Sequence, residues 1–171
     1  AACGDDPLSH SGPVAINLKA KSADTTSGTV TDHKNINTES GNPFAAFIRD
    51  SEAALGKAPG RIEVTSLALL LGAGSSGVTT LGEVFTGEVR VEFRINGNTY
   101  PVGHATVAAT AGAGPIAFSV DFDSTTLAAA DWTKLLGSDF EVYLTGPAAT
   151  GFQAKGADAN LQVTFNFASF E

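Results

Sequence analysis

The clearest pattern in the chain is a strict alternation of apolar and charged residues from Gly87 to Ile95. Successive side chains of a strand point to opposite faces, so this alternation predicts a strand with one buried face and one charged face. Asn96-Gly97 follows directly, and this dipeptide is typical of a two-residue hairpin turn. We therefore predict an antiparallel hairpin, returning as far as Ala109, at the middle of the fold. Its inward residues are Val89, Val91, Phe93 and Ile95, and its outward residues are Glu88, Arg90, Glu92 and Arg94.

Other segments with the apolar pattern of strands are bounded by residues that favour turns. They are residues 13–20, 29–37, 61–71, 115–123, 140–145 and 160–170. Residues 29–37 are predicted to lie at a sheet edge, because Lys34 discourages association between edges. Short strands with mostly one-sided alternation predict two packed antiparallel sheets. The predicted fold class is mainly β: an antiparallel β-sandwich, immunoglobulin-like in general architecture, of about 7–8 strands with two short helices.

Two segments have the periodicity of helices. The first, Pro43–Leu55, follows Asn42, whose side chain suits the free amides of a first turn, and Gly56 ends it. The second is predicted over residues 125–136. Residues 67–71 are apolar on both faces, which predicts a strand that is covered on both sides, with the first helix as the cover.

The only cysteine of the chain, Cys3, lies in the sequence Ala-Ala-Cys-Gly at the N-terminus. This sequence resembles the end of a bacterial lipoprotein signal, in which small residues precede a cysteine that becomes lipidated. The resemblance implies lipidation at Cys3, a location in the bacterial cell envelope (periplasm or cell surface), and membrane attachment through the lipid anchor only. The alternative is a terminal cysteine present by chance. Residues 1–12 are predicted to form a flexible N-terminal tether, and residues 13–171 a single β-sandwich domain.

Composition narrows the classes of function. The net charge of −8 argues against a nucleic-acid partner, because binding a phosphate backbone requires clustered Lys and Arg. No apolar run approaches the roughly 20 residues of a membrane-spanning helix. The chain contains no methionine, so we expect that its N-terminus has been processed or trimmed.

Motifs of catalytic and nucleotide-binding sites are weak in this sequence. Residues 72–77 match G-x-G-x-x-G, but no helix of useful length follows, so a connecting loop is predicted. His10, His33 and His104 have no second His or Cys at metal-ligand spacing and are predicted to be independent surface residues. No G-x-S-x-G sequence is present. We therefore predict no catalytic residue, no cofactor and no enzymatic activity.

Asp121 and Asp123 lie on one face of a predicted strand, about 7 Å apart. With Ser124 and Thr125 they are weak candidates for a calcium site, because hard cations prefer oxygen ligands. The favoured alternative is that Asp123 caps the second helix and Asp121 is solvated. We therefore predict no metal.

Tyr100, Trp132 and Tyr143 are the aromatic residues that also carry a polar group. Tyr143 and Tyr100 are weak candidates for a ligand-binding platform, whereas Trp132 is expected to pack on the apolar stripe of the second helix. The predicted function is a non-enzymatic envelope or cell-surface domain that mediates protein–protein interaction or self-assembly. The alternative is a small-ligand or carbohydrate-binding module using these tyrosines or residues 146–159.

Overall fold

Two antiparallel sheets pack face to face, as the alternating patterns predicted. The computed structural model describes residues 8–37 and 41–171. Within these ranges there are nine strands: β1 (Ser9–Lys21), β2 (Thr29–Ile36), β3 (Arg61–Leu71), β4 (Gly87–Ile95), β5 (Asn98–Val107), β6 (Ile116–Ala117), β7 (Ser119–Val120), β8 (Phe140–Pro147) and β9 (Asp158–Phe170). The four-stranded sheet has the order β1-β9-β3-β6, and the five-stranded sheet β2-β8-β4-β5-β7. The predicted sandwich is confirmed, with nine strands instead of 7–8.

The hairpin and the first helix form at the positions that were predicted from their turn and capping residues. Strands β4 and β5 meet at Asn96-Gly97, and helix α1 spans Pro43–Leu55. The Asn42 side chain accepts hydrogen bonds from the Phe44 and Ala45 amides, at 2.9 and 3.3 Å, which satisfies donors that a first helical turn leaves free. Gly56 ends the helix in the left-handed conformation that glycine adopts without strain.

The core between the sheets is centred on phenylalanine rings. Phe93 of β4 is fully buried, and its ring centroid lies 5.0 Å from those of Phe122 and Phe140 and 5.7 Å from that of Phe165. Helix α1 covers one end of this core, where Phe44 packs edge-on against Phe140 at 5.0 Å. Tight side-chain packing from both sheets therefore joins them at the inward face of the central hairpin.

The prediction that helix α1 covers the outer side of residues 67–71 is wrong. Ala68 and Leu70 face outward and are half-buried. Strand β3 also contains a bulge. Its register against β9 shifts between Val64 and Ser66, which reverses the side of the sheet that each later residue faces. Ile62 and Val64 point inward before the bulge, and Leu67, Leu69 and Leu71 point inward after it. Helix α1 packs against β1 instead, where Gly12 faces the Phe47 ring.

Strand β1 starts earlier than predicted. Residues 9–12, which we assigned to the tether, pair with the last residues of β9, from Ser9 against Phe170 to Gly12 against Phe167. These residues have no apolar periodicity that would predict a strand. Backbone pairing with β9 holds them, together with the contact of His10 with the Phe47 ring. The other sheet edge, β2, is confirmed in its predicted place, and its Asp32 carboxylate accepts a hydrogen bond from the Lys19 amide at 2.7 Å, which joins the two edge strands.

The predicted strand 115–123 is split between the two sheets. β6 pairs with β3 in one sheet, and β7 pairs with β5 in the other. The chain crosses between the sheets at Phe118, whose amide donates to the Leu67 carbonyl at 2.8 Å. Phe118 and Phe122 are both buried, so the predicted inward positions are kept across the point where the chain changes sheets. Alternation in a sequence predicts which residues are buried but not which strand they pair with. It therefore could not predict that this segment divides between the two sheets.

The second helix and the loop after β8 are both shorter than predicted. A 3₁₀ turn at Ser124–Thr126 precedes helix α2, which spans Ala129–Leu136. The predicted loop 146–159 loses its ends to β8 and β9, and Phe152 within it is completely buried. In the described ranges, neither α1 nor α2 is long and apolar enough to cross a membrane.

Candidate functional site

Tyr143, the first candidate for a ligand platform, lies on the outer face of the five-stranded sheet with both sides of its ring in contact. The His33 imidazole stacks on it with a centroid distance of 4.7 Å, and the Arg94 guanidinium carbon lies 3.6 Å from its ring centroid. These two side chains come from β2 and β4, the strands that flank β8, so they contact the ring from opposite sides. Stacking of a sugar on Tyr143 would therefore require one of them to move.

Tyr100, the second candidate, is turned toward the core. It is half-buried, and its hydroxyl donates a hydrogen bond to the Asp131 carboxylate of α2. Asp131 is only 2% exposed and also accepts from Asn96 Nδ2 and Asn98 Nδ2, both at 2.8 Å. The hydrogen bonds from Tyr100, Asn98 and Asn96 lower the pKa of Asp131. The same bond to the carboxylate, followed by burial, raises the pKa of Tyr100.

This Asp131 cluster fixes the hairpin turn onto helix α2. Three donors satisfy a buried carboxylate, which would otherwise be costly to remove from water. In the sequence, this cluster is indicated only by the position of Asp131 on the apolar stripe of the second helix, between Leu127 and Leu135. Its partners could not be predicted, because the turn and the helix are more than 30 residues apart.

The carboxylates considered for calcium have other partners. Asp123 accepts from the Thr125 amide at 2.9 Å and caps the 3₁₀ turn, whereas we had predicted that it caps the second helix. Asp121 lies 2.8 Å from His104 Nδ1, and both side chains are half exposed. His104 is therefore not the independent surface residue that we predicted. Across residues 8–37 and 41–171, no three His, Cys, Asp or Glu side chains converge in a way that would hold a metal ion.

The glycine-rich residues 72–77 form a connecting loop, as predicted. Ser75 Oγ accepts a hydrogen bond from the Asn160 amide at 2.8 Å, and Ser76 forms an isolated bridge with Asp158 of β9. The end of the loop is held by Glu83, which accepts from the Thr79 amide at 2.7 Å. Hydrogen bonds to Glu83, above all from Lys155, lower its pKa to about 2. These contacts give the loop a structural role in joining β3 to β4.

The outer face of the five-stranded sheet is charged, but its ion pairs run along β4. The Arg90 Nε donates to Glu88 at 2.6 Å, and Arg94 lies 3.9 Å from Glu92. Pairing along the strand leaves Glu141 of β8, the register partner of Arg94, without an ion pair among the described residues.

The outer face of the four-stranded sheet carries no charge over three complete rows of side chains. Strands β1, β9 and β3 contribute to every row, and β6 contributes to the middle one. We call this surface the uncharged face; its residues are Pro13, Ala15, Asn17, Ser66, Ala68, Leu70, Ala117, Gln162, Thr164 and Asn166. Charged residues appear only beyond it, at Lys19 on one side and Glu63 on the other. The outward positions can be predicted from alternation, but their juxtaposition depends on strand order.

A groove of about 550 Å³ lies beside the hairpin turn. We call it the hairpin groove. Its walls are the end of β2, the turn between β4 and β5, the start of β8 and the end of α2. The lining residues are Asn35, Ile36, Asn37, Arg94, Asn96, Gly97, Thr99, Lys134, Asp139, Phe140 and Glu141. Segments from four different parts of the chain form it, which explains why sequence patterns did not reveal it.

Comparison with protein-family models and with curated proteins finds no match for this chain. Cys3, the predicted lipidation site, lies outside the described residues.

Proposed function

We propose that this chain is a non-enzymatic domain of the bacterial cell envelope that associates with a second copy of itself through the uncharged face. The observation that carries the proposal is the contrast between the two outer faces of the sandwich. One face carries the acids and bases of β4 together with Glu141 and His104, whereas the uncharged face carries none. Fixed charges are depleted from the centres of protein interfaces, because desolvating them is costly.

Net charge favours this face for an approach between copies. At a net charge of −8, two copies repel each other, and the repulsion is smallest where no carboxylate has to enter the contact. The small side chains at its centre, such as Ala15, Thr164 and Ala68, lose little rotamer freedom on contact. A two-fold rotation would bring the same rows of side chains of both copies into contact.

The size of the uncharged face predicts weak association. Its ten side-chain positions, each about 6.8 Å by 4.8 Å, cover roughly 330 Å² on each copy. Stable interfaces bury about 800 Å² on each partner, so a dimer of this size exchanges rapidly. Among the described residues, Leu8 is the only large apolar side chain classed as exposed, at 51%, so no hydrophobic patch adds to the affinity.

Sedimentation velocity from about 10 µM to about 1 mM tests the proposal, since an interface of this size assembles in that range. We expect a concentration-dependent monomer–dimer equilibrium. Thr164→Glu places two like charges at the centre of the dimer and is expected to abolish it. Thr145→Glu is the matched control, because Thr145 is an outward, half-buried threonine on β8 of the other sheet. A wild-type protein that remains monomeric throughout, or two variants that dimerise equally, would refute self-association.

The envelope location rests on the resemblance of Ala1-Ala2-Cys3-Gly4 to the end of a lipoprotein signal. Strand β1 begins at Ser9, so at most about 20 Å of extended chain would separate a lipidated Cys3 from the folded domain. Mass spectrometry of the protein isolated from its natural source is the test. We expect Cys3 to carry acyl chains, and an unmodified Cys3 with intact upstream sequence would disprove lipidation.

A further inference from the structure

We propose that the hairpin groove is a binding site for an uncharged, polyhydroxylated ligand, that is, a neutral mono- or oligosaccharide. This inference is independent of self-association, because the groove lies at the hairpin end of the five-stranded sheet and shares no residue with the uncharged face. Its volume of about 550 Å³ falls within the range of roughly 300–1,000 Å³ that small-molecule sites occupy.

The walls of the groove are fixed before any ligand arrives. The Asp131 cluster holds Asn96 and the turn against α2. The Arg94 guanidinium carbon lies 3.6 Å from the Tyr143 ring centroid, and Lys134 Nζ contacts Asp139 Oδ2 at 2.5 Å. A preformed wall reduces the ordering cost of binding, so weak polar contacts are sufficient for measurable affinity.

The chemistry of the lining favours hydroxyl groups. Arg94 supplies donors, Glu141 supplies acceptors, and Thr99 supplies both. The Arg94 side chain is 41% exposed, while its Nε is buried and has no hydrogen-bond acceptor within the described residues. A hydroxyl both donates and accepts, so neighbouring hydroxyls on a sugar ring suit a guanidinium and a carboxylate that are register partners.

Charge balance selects a neutral ligand. The lining contains two cations, Arg94 and Lys134, and two carboxylates, Asp139 and Glu141. An anionic or cationic ligand would leave charges of one sign without compensation, which disfavours it relative to a neutral one. The Tyr143 ring is already covered by His33 and Arg94, so stacking on an aromatic face does not contribute. Binding by hydrogen bonds alone predicts a dissociation constant of about 1 mM.

Titration of ¹⁵N-labelled protein with neutral disaccharides of gluco, galacto and manno configuration, followed by amide chemical shifts, tests the site. We expect saturable shifts at Gly97 and Thr99 with at least one sugar. Arg94→Gln and Glu141→Gln are each expected to weaken binding by about tenfold, the loss for one charge-assisted hydrogen bond. The control is Glu88→Gln, which changes a carboxylate on the same sheet face outside the groove.

Three results would overturn the inference: no saturable shift with any neutral sugar, equal binding by the two groove variants and the wild type, or preferential binding of a uronic acid. Two groove variants are used because Arg94 also packs on Tyr143, whereas Glu141 forms no ion pair among the described residues. Failure of this site leaves self-association untouched, because Thr164→Glu, which tests the dimer, lies on the other sheet.

Discussion

Phe93 packs between the two sheets, and its truncation is a direct test of the fold. The ring is completely buried and contacts rings from both sheets: Phe140 on β8 and Phe165 and Phe167 on β9. Phe93→Ala removes the ring and leaves a cavity. Large-to-small substitutions of this kind cost about 3–5 kcal/mol, depending on how far the surroundings collapse.

We expect a loss near the upper end of that range. The neighbouring strands β4, β8 and β9 are tied into two hydrogen-bonded sheets, so the rings around the cavity cannot close it. Each aromatic pair also contributes about 0.5–1.5 kcal/mol beyond the area that it buries. A loss of about 4–5 kcal/mol lowers the melting temperature of a domain of this size by roughly 10–20 °C. The more severe Phe93→Asp, which buries an unpaired charge, is expected to prevent folding.

Urea unfolding followed by the fluorescence of Trp132, which packs against the core, measures the effect. Arg90→Ala is the control on the same strand, because the Arg90 side chain is 65% exposed and its ion pair with Glu88 is solvated. It is expected to change stability by no more than about 0.5 kcal/mol. A Phe93→Ala loss below about 1.5 kcal/mol, or an equal loss in Arg90→Ala, would show that the assignment of the buried face is wrong.

Three further substitutions test local features. Asn42→Ala removes the helix cap and is expected to cost about 1 kcal/mol in urea unfolding; no loss would contradict the capping role. Gly82→Ala places a Cβ 2.5 Å from the Ala109 carbonyl oxygen, so we expect a melting temperature several degrees lower, and an unchanged value would contradict the close contact. Asp131→Asn removes the negative charge to which Tyr100, Asn96 and Asn98 donate, and replaces one acceptor oxygen with an amide group. Because the folded pKa of Asp131 lies below its ordinary 3.8, its stabilisation is present above that pH and disappears as the pH falls through the folded value. The difference in urea midpoint between wild type and this variant should shrink as the pH falls below 3.8, and a constant difference would contradict the charge-assisted network.

The sequence by itself correctly predicted the elements that depend on interactions between residues close together in the chain. Alternation and Asn96-Gly97 placed the hairpin, because the pleat and the turn require those residues regardless of what packs on them. Asn42 and Gly56 placed both ends of α1 correctly for the same reason. The inward residues of β4 were also predicted correctly, since burial on one face is what produces the alternation.

Partners distant in sequence decided the remaining elements. Residues 9–12 became part of β1 because β9 extends beside them, and β6 and β7 separated because the chain there crosses from one sheet to the other. The bulge in β3 changed which residues face the core from Ser66 onward. Residues 67–71 are all apolar, so their sequence could not show this change. In each of these cases the pairing partner decided the structure, and not the secondary-structure propensity of the residues themselves.

The uncharged face and the hairpin groove likewise depend on both the sequence and the tertiary structure. From the sequence alone, Thr164 is an outward residue on a strand, and Arg94 is an outward charge on another. Only the strand order places Ala15 and Ala68 beside Thr164, and only the Asp131 cluster brings the hairpin turn against α2. Alternation determines the side of a sheet that each residue faces, whereas a surface or a groove depends on which strands become neighbours, and that is settled by packing across the whole core.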